Sequence, residues 1–169
     1  MPRTFYLFTY CFSSGAACEA AKEGIPAIAF SGQSTRQVSY TTLQSDPDSL
    51  ATIAALVNSQ LTVDFVDALL DGEGTIVPED TIININTSDV TDCTDPDDFD
   101  FIFTRNLADP TATDVFTCGT DQLPVEADVI GLDGCYATVS VISAITKTDV
   151  DAETQQVVFD RVESILSCL

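Results

Sequence analysis

The stretch GAACEAAKEGIPAIAFSG, residues 15–32, decides the fold class of this chain. Its first half is rich in alanine at helical spacing, and Gly24 would supply the C-terminal cap of that helix. Residues 25–30 form a short apolar run between polar or glycine residues, which is typical of a strand buried on both faces of a parallel sheet. A helix followed directly by such a strand predicts an α/β domain.

The rest of the chain continues the same pattern. Apolar residues recur at helical spacing over residues 50–69, and Asp46-Pro47 is expected to open this long helix, with Asp46 as the N-cap. No internal repeat or linker interrupts the pattern, so residues 1–169 are expected to form a single domain. The other predicted elements are strands at residues 81–86, 99–105 and 136–142 and a helix at residues 149–169.

Charge and composition exclude several functions. The chain has 27 Asp and Glu against six Lys and Arg, a formal net charge of −21, and no histidine. Such a surface repels nucleic acid and anionic membranes, so neither is expected as a partner. No segment is expected to have the length needed to span a bilayer. Without histidine, Ser-His-Asp and Cys-His nucleophile pairs are excluded, as are histidine metal ligands.

The six cysteines are too far apart for the paired spacing of zinc sites, so disulfides are predicted, with their pairing left open. Asn86-Thr87-Ser88 is an N-glycosylation sequon that agrees with a secretory setting, although an unmodified strand end is an alternative interpretation. Residues 1–18 have some features of a signal peptide, but the apolar run is short and continues into the predicted helix. Secretion is therefore expected from the cysteines and the sequon, without a convincing signal peptide.

Two stretches are candidates for ligand binding. Ser13, Ser14 and Gly15 would precede the first helix, where hydroxyls and free backbone N–H groups suit a phosphate, although ordinary N-capping is the blander explanation. The acidic loop of residues 92–100 could hold calcium or magnesium through carboxylates, but it lacks the order and the glycine of an EF-hand. A solvated loop is preferred there. Its acidic residues are Asp92, Asp95, Asp97, Asp98 and Asp100.

Several separated motifs, covering about Tyr10 to Leu169, resemble the SurE family of survival-protein phosphatases and nucleotidases. Residues 15–32 resemble the family's helix-strand segment, and residues 82–86 (IININ) resemble its central "LNVN" strand. Residues 119–121 (GTD) and 134–141 (GCYATVSV) are similar to its "TD … GYVSVTPL" stretch. The version with the disulfide candidates looks like a fungal secreted branch of the family. Those cysteines are Cys93, Cys118, Cys135 and Cys168.

The resemblance implies a doubly wound, Rossmann-like α/β sheet with helices on both faces and a β-rich C-terminal extension. It also implies a phosphatase or nucleotidase that uses a divalent metal such as magnesium or manganese, acts on phosphate monoesters such as nucleoside monophosphates, and forms homo-oligomers. In the family an Asp-Asp pair, a serine and an asparagine loop hold the metal, and these motifs precede the matched segment. We therefore expect an incomplete sheet, no intact catalytic residue, no metal ligand and no bound cofactor in this chain.

One family active-site turn, "YSGTVGAA", is retained in altered form. Tyr10 and residues 15–17 match it, but Phe12 replaces a glycine whose conformational freedom lets the backbone approach a phosphate. Ser13, Ser14 and Gly15 then form at most a weak phosphate-binding remnant. We expect the chain to be inactive as an enzyme. The alternative is a non-enzymatic interaction module in which residues 25–30, as an exposed sheet edge, pair with a partner or a full-length family member.

Overall fold

The computed structural model describes residues 11–33 and 37–169, without the side chains of residues 11–13. The apolar run of the signal-peptide interpretation lies largely outside these residues. The helices are α1 (Cys11–Lys22), α2 (Thr42–Ser45), α3 (Leu50–Leu70), α4 (Glu126–Ile130) and α5 (Ala152–Val162). The strands are β1 (Ala27–Gly32), β2 (Thr81–Thr87), β3 (Asp100–Thr104), β4 (Tyr136–Ser143) and β5 (Leu166–Ser167), and short 3-10 turns lie at Pro96–Asp98 and Glu163–Ile165.

The five strands form one mixed sheet in the order β1-β2-β4-β3-β5. β1 is parallel to β2, and β3 is parallel to both β4 and β5, whereas β2 and β4 pair antiparallel. α1 packs on one face of the sheet, and α3 and α5 cover the other. This is the predicted α/β class with helices on both faces. β1 lies at an edge of the sheet, as expected for residues 25–30.

The face under α3 and α5 carries the larger apolar core. Alternate side chains of each strand point to it, including Ile83 and Ile85 of β2. Phe65 of α3 has no solvent exposure, and its ring lies 5.9 Å from that of Phe30 and 5.7 Å from that of Phe101. Large aromatic side chains in contact across three elements bury much apolar area, which makes this face the main source of hydrophobic stabilisation.

α3 approaches the end of β1 closely at Gly32. A Cβ atom there would lie 2.7 Å from Nδ2 of Asn58, so the position has no room for a larger residue. Asn58 is itself fixed, because its Nδ2 donates to the carbonyl of Ala54 at 2.8 Å and its Oδ1 accepts from the hydroxyl of Thr87 at 2.8 Å. The contact fixes α3 over the carboxyl ends of β1 and β2.

The helix boundaries correct two predictions and confirm one. Gly24 has φ +77° and its N–H donates to the carbonyl of Ala21, so it does follow α1 as a cap. Asp46 does not cap α3. Ser49 caps the helix, because its hydroxyl accepts from the N–H of Thr52. The carbonyl of Asp46 accepts from the hydroxyls of Ser49 and Thr52. The final segment is not one helix, since α5 ends at Val162 and the chain then pairs as β5.

α3 also overturns the expectation about bilayer-spanning length. Among the described residues it is long and apolar enough to cross a membrane by length and composition, with a mean hydropathy of 1.4 over an 18-residue window. Core helices of soluble proteins pass the same test. In α3, one face packs into the core and the other is open; the six buried side chains are Thr52, Ala54, Val57, Leu61, Phe65 and Leu69.

Two disulfides hold the second half of the chain. Cys93–Cys135 joins the loop after β2 to the residue before β4, with Cα atoms 5.6 Å apart. Cys118–Cys168 joins the loop before α4 to the residue after β5, with Cα atoms 5.7 Å apart. Cys93 is buried, whereas Cys118 and Cys168 are exposed. Both disulfides close long loops, which lowers the entropy of the unfolded chain.

Candidate polar site on the α1 face of the sheet

A row of polar side chains crosses the centre of the sheet on its α1 face. Strand register places Asn84 of β2 opposite Ser140 of β4, and Ser140 opposite Thr104 of β3. All three residues are at most 4% exposed. The hydroxyls of Thr104 and Ser140 lie 2.8 Å apart. Buried polar groups need hydrogen-bond partners, so this row requires further polar atoms above it.

Glu126, in the first turn of α4, supplies the acceptor for this row. One of its carboxylate oxygens, Oε2, accepts from Nδ2 of Asn84 at 3.1 Å and from the hydroxyl of Ser140 at 3.3 Å. The residue is 3% exposed. Burial raises the pKa of the Glu126 carboxyl, and the neighbouring amides of Asn86 and Asn84 and the Ser140 hydroxyl only partly oppose this. Glu126 is therefore a buried acid, and no cationic side chain among the described residues pairs with it.

Asn86 extends the cluster toward the carboxyl end of β2. It is 5% exposed, and its Nδ2 has no hydrogen-bond partner within residues 11–33 and 37–169. The amide lies close enough to Glu126 to favour the charged carboxylate, but not in hydrogen-bonding geometry. N-linked glycans are attached at this nitrogen. Because this nitrogen is buried in the folded chain, a glycan could be attached only before β2 packs or after it opens, so glycosylation of Asn86 stays a prediction beside the alternative of an unmodified strand end.

The predicted phosphate remnant lies differently from the expectation. Cys11, the first described residue, is already helical, so Ser13, Ser14 and Gly15 lie within α1 rather than ahead of it. The half-buried Ser14 donates its hydroxyl hydrogen to Oδ1 of Asn84 at 3.0 Å. A Cβ atom at Gly15 would meet no other atom within 4 Å, so close packing does not require glycine there. Ser14 of α1 thus joins the polar cluster by its hydrogen bond to Asn84 of β2.

The acidic loop provides no cation site in the structure. Asp95 caps the 3-10 turn at Pro96–Asp98 by accepting from the N–H of Asp97 at 3.0 Å. Asp100 accepts from the hydroxyl of Ser167 at 2.8 Å. Within residues 11–33 and 37–169, no three or more His, Cys, Asp or Glu side chains come together in a way that could hold a metal ion. The solvated-loop interpretation fits these contacts better than calcium binding.

A second buried polar cluster was not predicted from the sequence. Arg105 pairs with Asp114 through Nη1 and with Asp149 through Nη2 at 3.5 Å. Gln155 of α5 donates to Asp114 at 2.9 Å and accepts from the N–H of Val115 at 2.8 Å. These residues are separated widely along the chain, and no local motif signals the contact. The cluster fixes the loop before α4 against α5.

The polar cluster around Glu126 was also missed. Its only sequence signal is the asparagine at every second position of residues 82–86, which predicts two different strand faces. Nothing in that alternation shows that the asparagine face is buried too, yet every residue of β2 is buried. The acceptor, Glu126, comes from a five-residue helix that lies outside every helix and strand predicted from the sequence.

A mixed sheet with a helix-strand unit at its edge and helices on both faces defines an α/β protein of the Rossmann-like class. Residues 7–112, more than half of the chain, match the sequence model of the family described as "Survival protein SurE". The chain therefore belongs to the SurE family, and the predicted resemblance is confirmed. Neither a curated protein nor a solved structure matches the chain.

Membership of the SurE family suggests a metal-dependent phosphatase or nucleotidase. The described residues do not fit the implied divalent metal. The described residues of the polar cluster around Glu126 include one carboxylate, that of Glu126 itself. Its Oε2 already accepts hydrogen bonds from Asn84 and Ser140. Magnesium and similar ions need several free oxygen ligands. No reaction step through a metal can be derived from these residues.

Proposed function

We propose that this chain belongs to a phosphate-monoester hydrolase family but does not itself hydrolyse such esters, nucleoside monophosphates included. The supporting observation is the polar cluster around Glu126, in which this residue supplies the only carboxylate among the described residues and already accepts two hydrogen bonds. Metal-assisted phosphate-ester hydrolysis needs an ion that neutralises developing charge and activates water. A net charge of −21 also opposes the approach of a phosphate dianion.

The direct test is phosphate release from p-nitrophenyl phosphate and from a nucleoside monophosphate by the purified chain, with added magnesium or manganese. We expect no release above that of a Ser13→Ala variant. Release that depends on the metal and exceeds that of this variant would contradict the proposal. Circular dichroism of both proteins shows that they are folded at the time of the assay.

The second candidate function is an interaction module that uses β1. The observation that favours it is the position of β1 at the sheet edge, with no strand on its outer side among the residues that the structure describes. Residues 25–33 carry no charged side chain. A neutral strand edge offers unpaired backbone groups to an added strand, here one from another SurE-family chain or a second copy. Because the chain has a net charge of −21, an uncharged segment repels a second acidic chain less than the rest of the surface does.

A pair of matched variants tests this role. Ile25 and Ile145 are both 58% exposed, and Ile25 immediately precedes the edge strand while Ile145 lies in the turn after β4. Lysine near a strand edge opposes edge pairing. We expect Ile25→Lys to weaken association, measured by light scattering of the chain alone and mixed with a full-length SurE-family protein, and Ile145→Lys to leave it unchanged. A dispersed monomer that binds neither partner would rule the module out.

The disulfides support a proposed secretory or extracellular location. Disulfides persist in oxidising compartments and are rare in the cytosol. The protein from its own cells, alkylated without prior reduction, should keep Cys93, Cys118, Cys135 and Cys168 unmodified in peptide mass spectrometry. Alkylation of all four would contradict the location.

A further inference from the structure

A cavity of about 540 Å³ lies at the β5 edge of the sheet, and its described lining includes no residue of β1 or of the cluster around Glu126. Its floor includes Phe103 of β3 and Phe159 of α5, whose rings meet edge to face with centroids 5.6 Å apart. Leu123, Pro124 and Leu166 continue the apolar wall. Small-molecule sites are typically concave, of this size and mostly apolar, with a few polar groups.

The cavity is preformed by strong local constraints. The loop above it is held at one end by Asp114, whose carboxylate accepts from Arg105 and from the N–H of Leu123 at 3.0 Å. The N–H of Arg105 donates to the carbonyl of Pro124 at 2.8 Å. At the rim, the Cys118–Cys168 disulfide joins this loop to the residue after β5. A preorganised cavity binds a ligand without the entropic cost of ordering its walls.

Charge restricts what the cavity can accept. Among the described residues that line the cavity, Glu163 is the only one with an ionisable side chain, and the whole chain has a net charge of −21. An anion placed there would meet a negative field in a partly desolvated space, which disfavours it. An uncharged or cationic molecule meets no such repulsion.

The cavity also lies mostly outside the residues that match the SurE family. All of its lining residues except Ile102 and Phe103 lie beyond residue 112, where the match ends. We propose that this cavity is a binding site for a small apolar molecule, uncharged or cationic, that inserts against the Phe103–Phe159 ring pair. The site is independent of the proposed inactivity toward phosphate esters and of the β1 edge.

Two fluorescent probes with the same ring system test the proposal. N-phenyl-1-naphthylamine is uncharged, and 8-anilinonaphthalene-1-sulfonate is its anionic counterpart. We expect saturable binding of the uncharged probe with one site per chain, and binding of the anionic probe roughly tenfold weaker, because the like charges repel. Non-saturable binding, or equal binding of both probes, would overturn the proposal.

Variants locate the probe. Thr120 and Gln122 are exposed lining residues, so Thr120→Trp and, independently, Gln122→Trp should obstruct the cavity and abolish binding of the uncharged probe. Thr146→Trp is the matched control, since Thr146 is exposed in the turn after β4 and outside the cavity lining. Folding is checked by circular dichroism. Unchanged binding in a folded cavity variant would overturn the proposal, as would a dimer that Thr120→Trp dissociates, because a second copy would then occupy the cavity.

Removing one charge tests the selectivity. Glu163→Gln should strengthen binding of the anionic probe about two- to fivefold, the range that an exposed charge interaction supports. Glu153→Gln, at the other end of α5 and outside the lining, makes the same change in net charge and should have a smaller effect. If both variants change the affinity equally, the selectivity comes from net charge alone and the assigned role of Glu163 is wrong.

Discussion

The two faces of the central sheet are both buried, but one is apolar and the other carries hydrogen-bonded polar side chains. Under α3 and α5, the strands present large apolar side chains such as Ile83 and Phe101, packed against Phe65. Under α1 and α4, the same strands present asparagine, serine and threonine around the carboxylate of Glu126. The apolar face stabilises the domain without directional contacts, whereas the polar face depends on each hydrogen bond being made.

This difference teaches where the domain is tolerant and where it is specific. Apolar packing responds mainly to volume, so a lost side chain leaves a cavity in proportion to its size. A buried polar cluster responds to the loss of single atoms, because an unpaired buried donor or acceptor loses its hydration without compensation. Asn86 Nδ2, which is buried and has no hydrogen-bond partner in the part of the chain that the structure describes, is an atom of this kind on the polar face.

The largest expected effect comes from the apolar face. Phe65→Ala removes a ring with no solvent exposure from contact with Phe30 and Phe101, and should lower the free energy of unfolding by about 3–5 kcal/mol. Denaturant unfolding measures this. Leu56→Ala, on the same helix but 59% exposed, is the control and should change stability by no more than about 0.5 kcal/mol. Similar losses in the two variants would show that the core is not where the structure places it.

On the polar face, Glu126→Ala should lower the free energy of unfolding by about 1–3 kcal/mol, because the donors of Asn84 and Ser140 lose their acceptor while buried. Glu126→Gln keeps an acceptor oxygen and should cost less at neutral pH. Urea unfolding of both variants gives the comparison. A loss in Glu126→Gln as large as in Glu126→Ala would mean that the negative charge, and not the acceptor, stabilises the cluster.

The raised pKa of Glu126 gives a pH dependence with a definite sign. A folded acid with a raised pKa holds its proton more tightly than the unfolded chain, whose ordinary value is near 4.5. Its contribution to stability is present below that value and is lost as the pH rises through the folded pKa. Relative to Glu126→Gln, the wild type should therefore lose stability as the pH rises from the ordinary value toward and through the raised pKa of the folded state. A difference that is flat with pH would contradict the burial of this group.

Asp151, at the start of the helix α5 that covers the apolar face, should give stability the opposite dependence on pH. It caps α5 by accepting from the N–H of Thr154 at 2.9 Å, and this bond with the Thr154 backbone lowers the pKa of the Asp151 carboxyl below its ordinary value of 3.8. Its contribution to stability is present above that value and is lost as the pH falls through the lowered pKa.

Removal of this cap by Asp151→Ala should lower the free energy of unfolding by about 1 kcal/mol at neutral pH. Asp151→Asn preserves a good capping residue and should remove only the pH dependence. Thermal unfolding from acid to neutral pH, run beside Glu126→Gln, compares the two faces directly. Curves that slope the same way for both carboxyls would refute the contrast.

The smallest expected effect is that of Ser14→Ala, which removes the hydroxyl that donates to Oδ1 of Asn84. We expect a loss of about 0.5–1.5 kcal/mol, the net value of one hydrogen bond. Ser59→Ala on the exposed side of α3 removes a hydroxyl bonded only to the carbonyl of Ala55 and should be nearly neutral. If denaturant unfolding gives equal losses of stability for Ser14→Ala and Ser59→Ala, the hydrogen bond of Ser14 to the polar cluster does not contribute to stability.

Local patterns predicted much of the fold and little of the polar site. The glycine after α1 falls where it was expected, and the strand predicted at residues 25–30 is found at Ala27–Gly32, because such signals act within a few residues. The prediction that this strand is buried on both faces is wrong, since β1 is an edge strand that is only partly buried. The start of α3 was placed at Asp46 instead of Ser49, since both residue types cap helices and only the hydrogen bonds distinguish them. The two residues of β5 escaped notice because a strand that short has no period to detect.

By itself, the sequence determined the α/β class, the SurE family, the absence of histidine chemistry and the strong negative charge. Each of these follows from composition or from residues close together in the chain. Only the tertiary structure decided which cysteines pair, that Asn86 is enclosed, and that Ser14, Asn84 and Glu126 form one cluster. These depend on strand register and on contacts between residues more than forty positions apart, which no local spacing encodes.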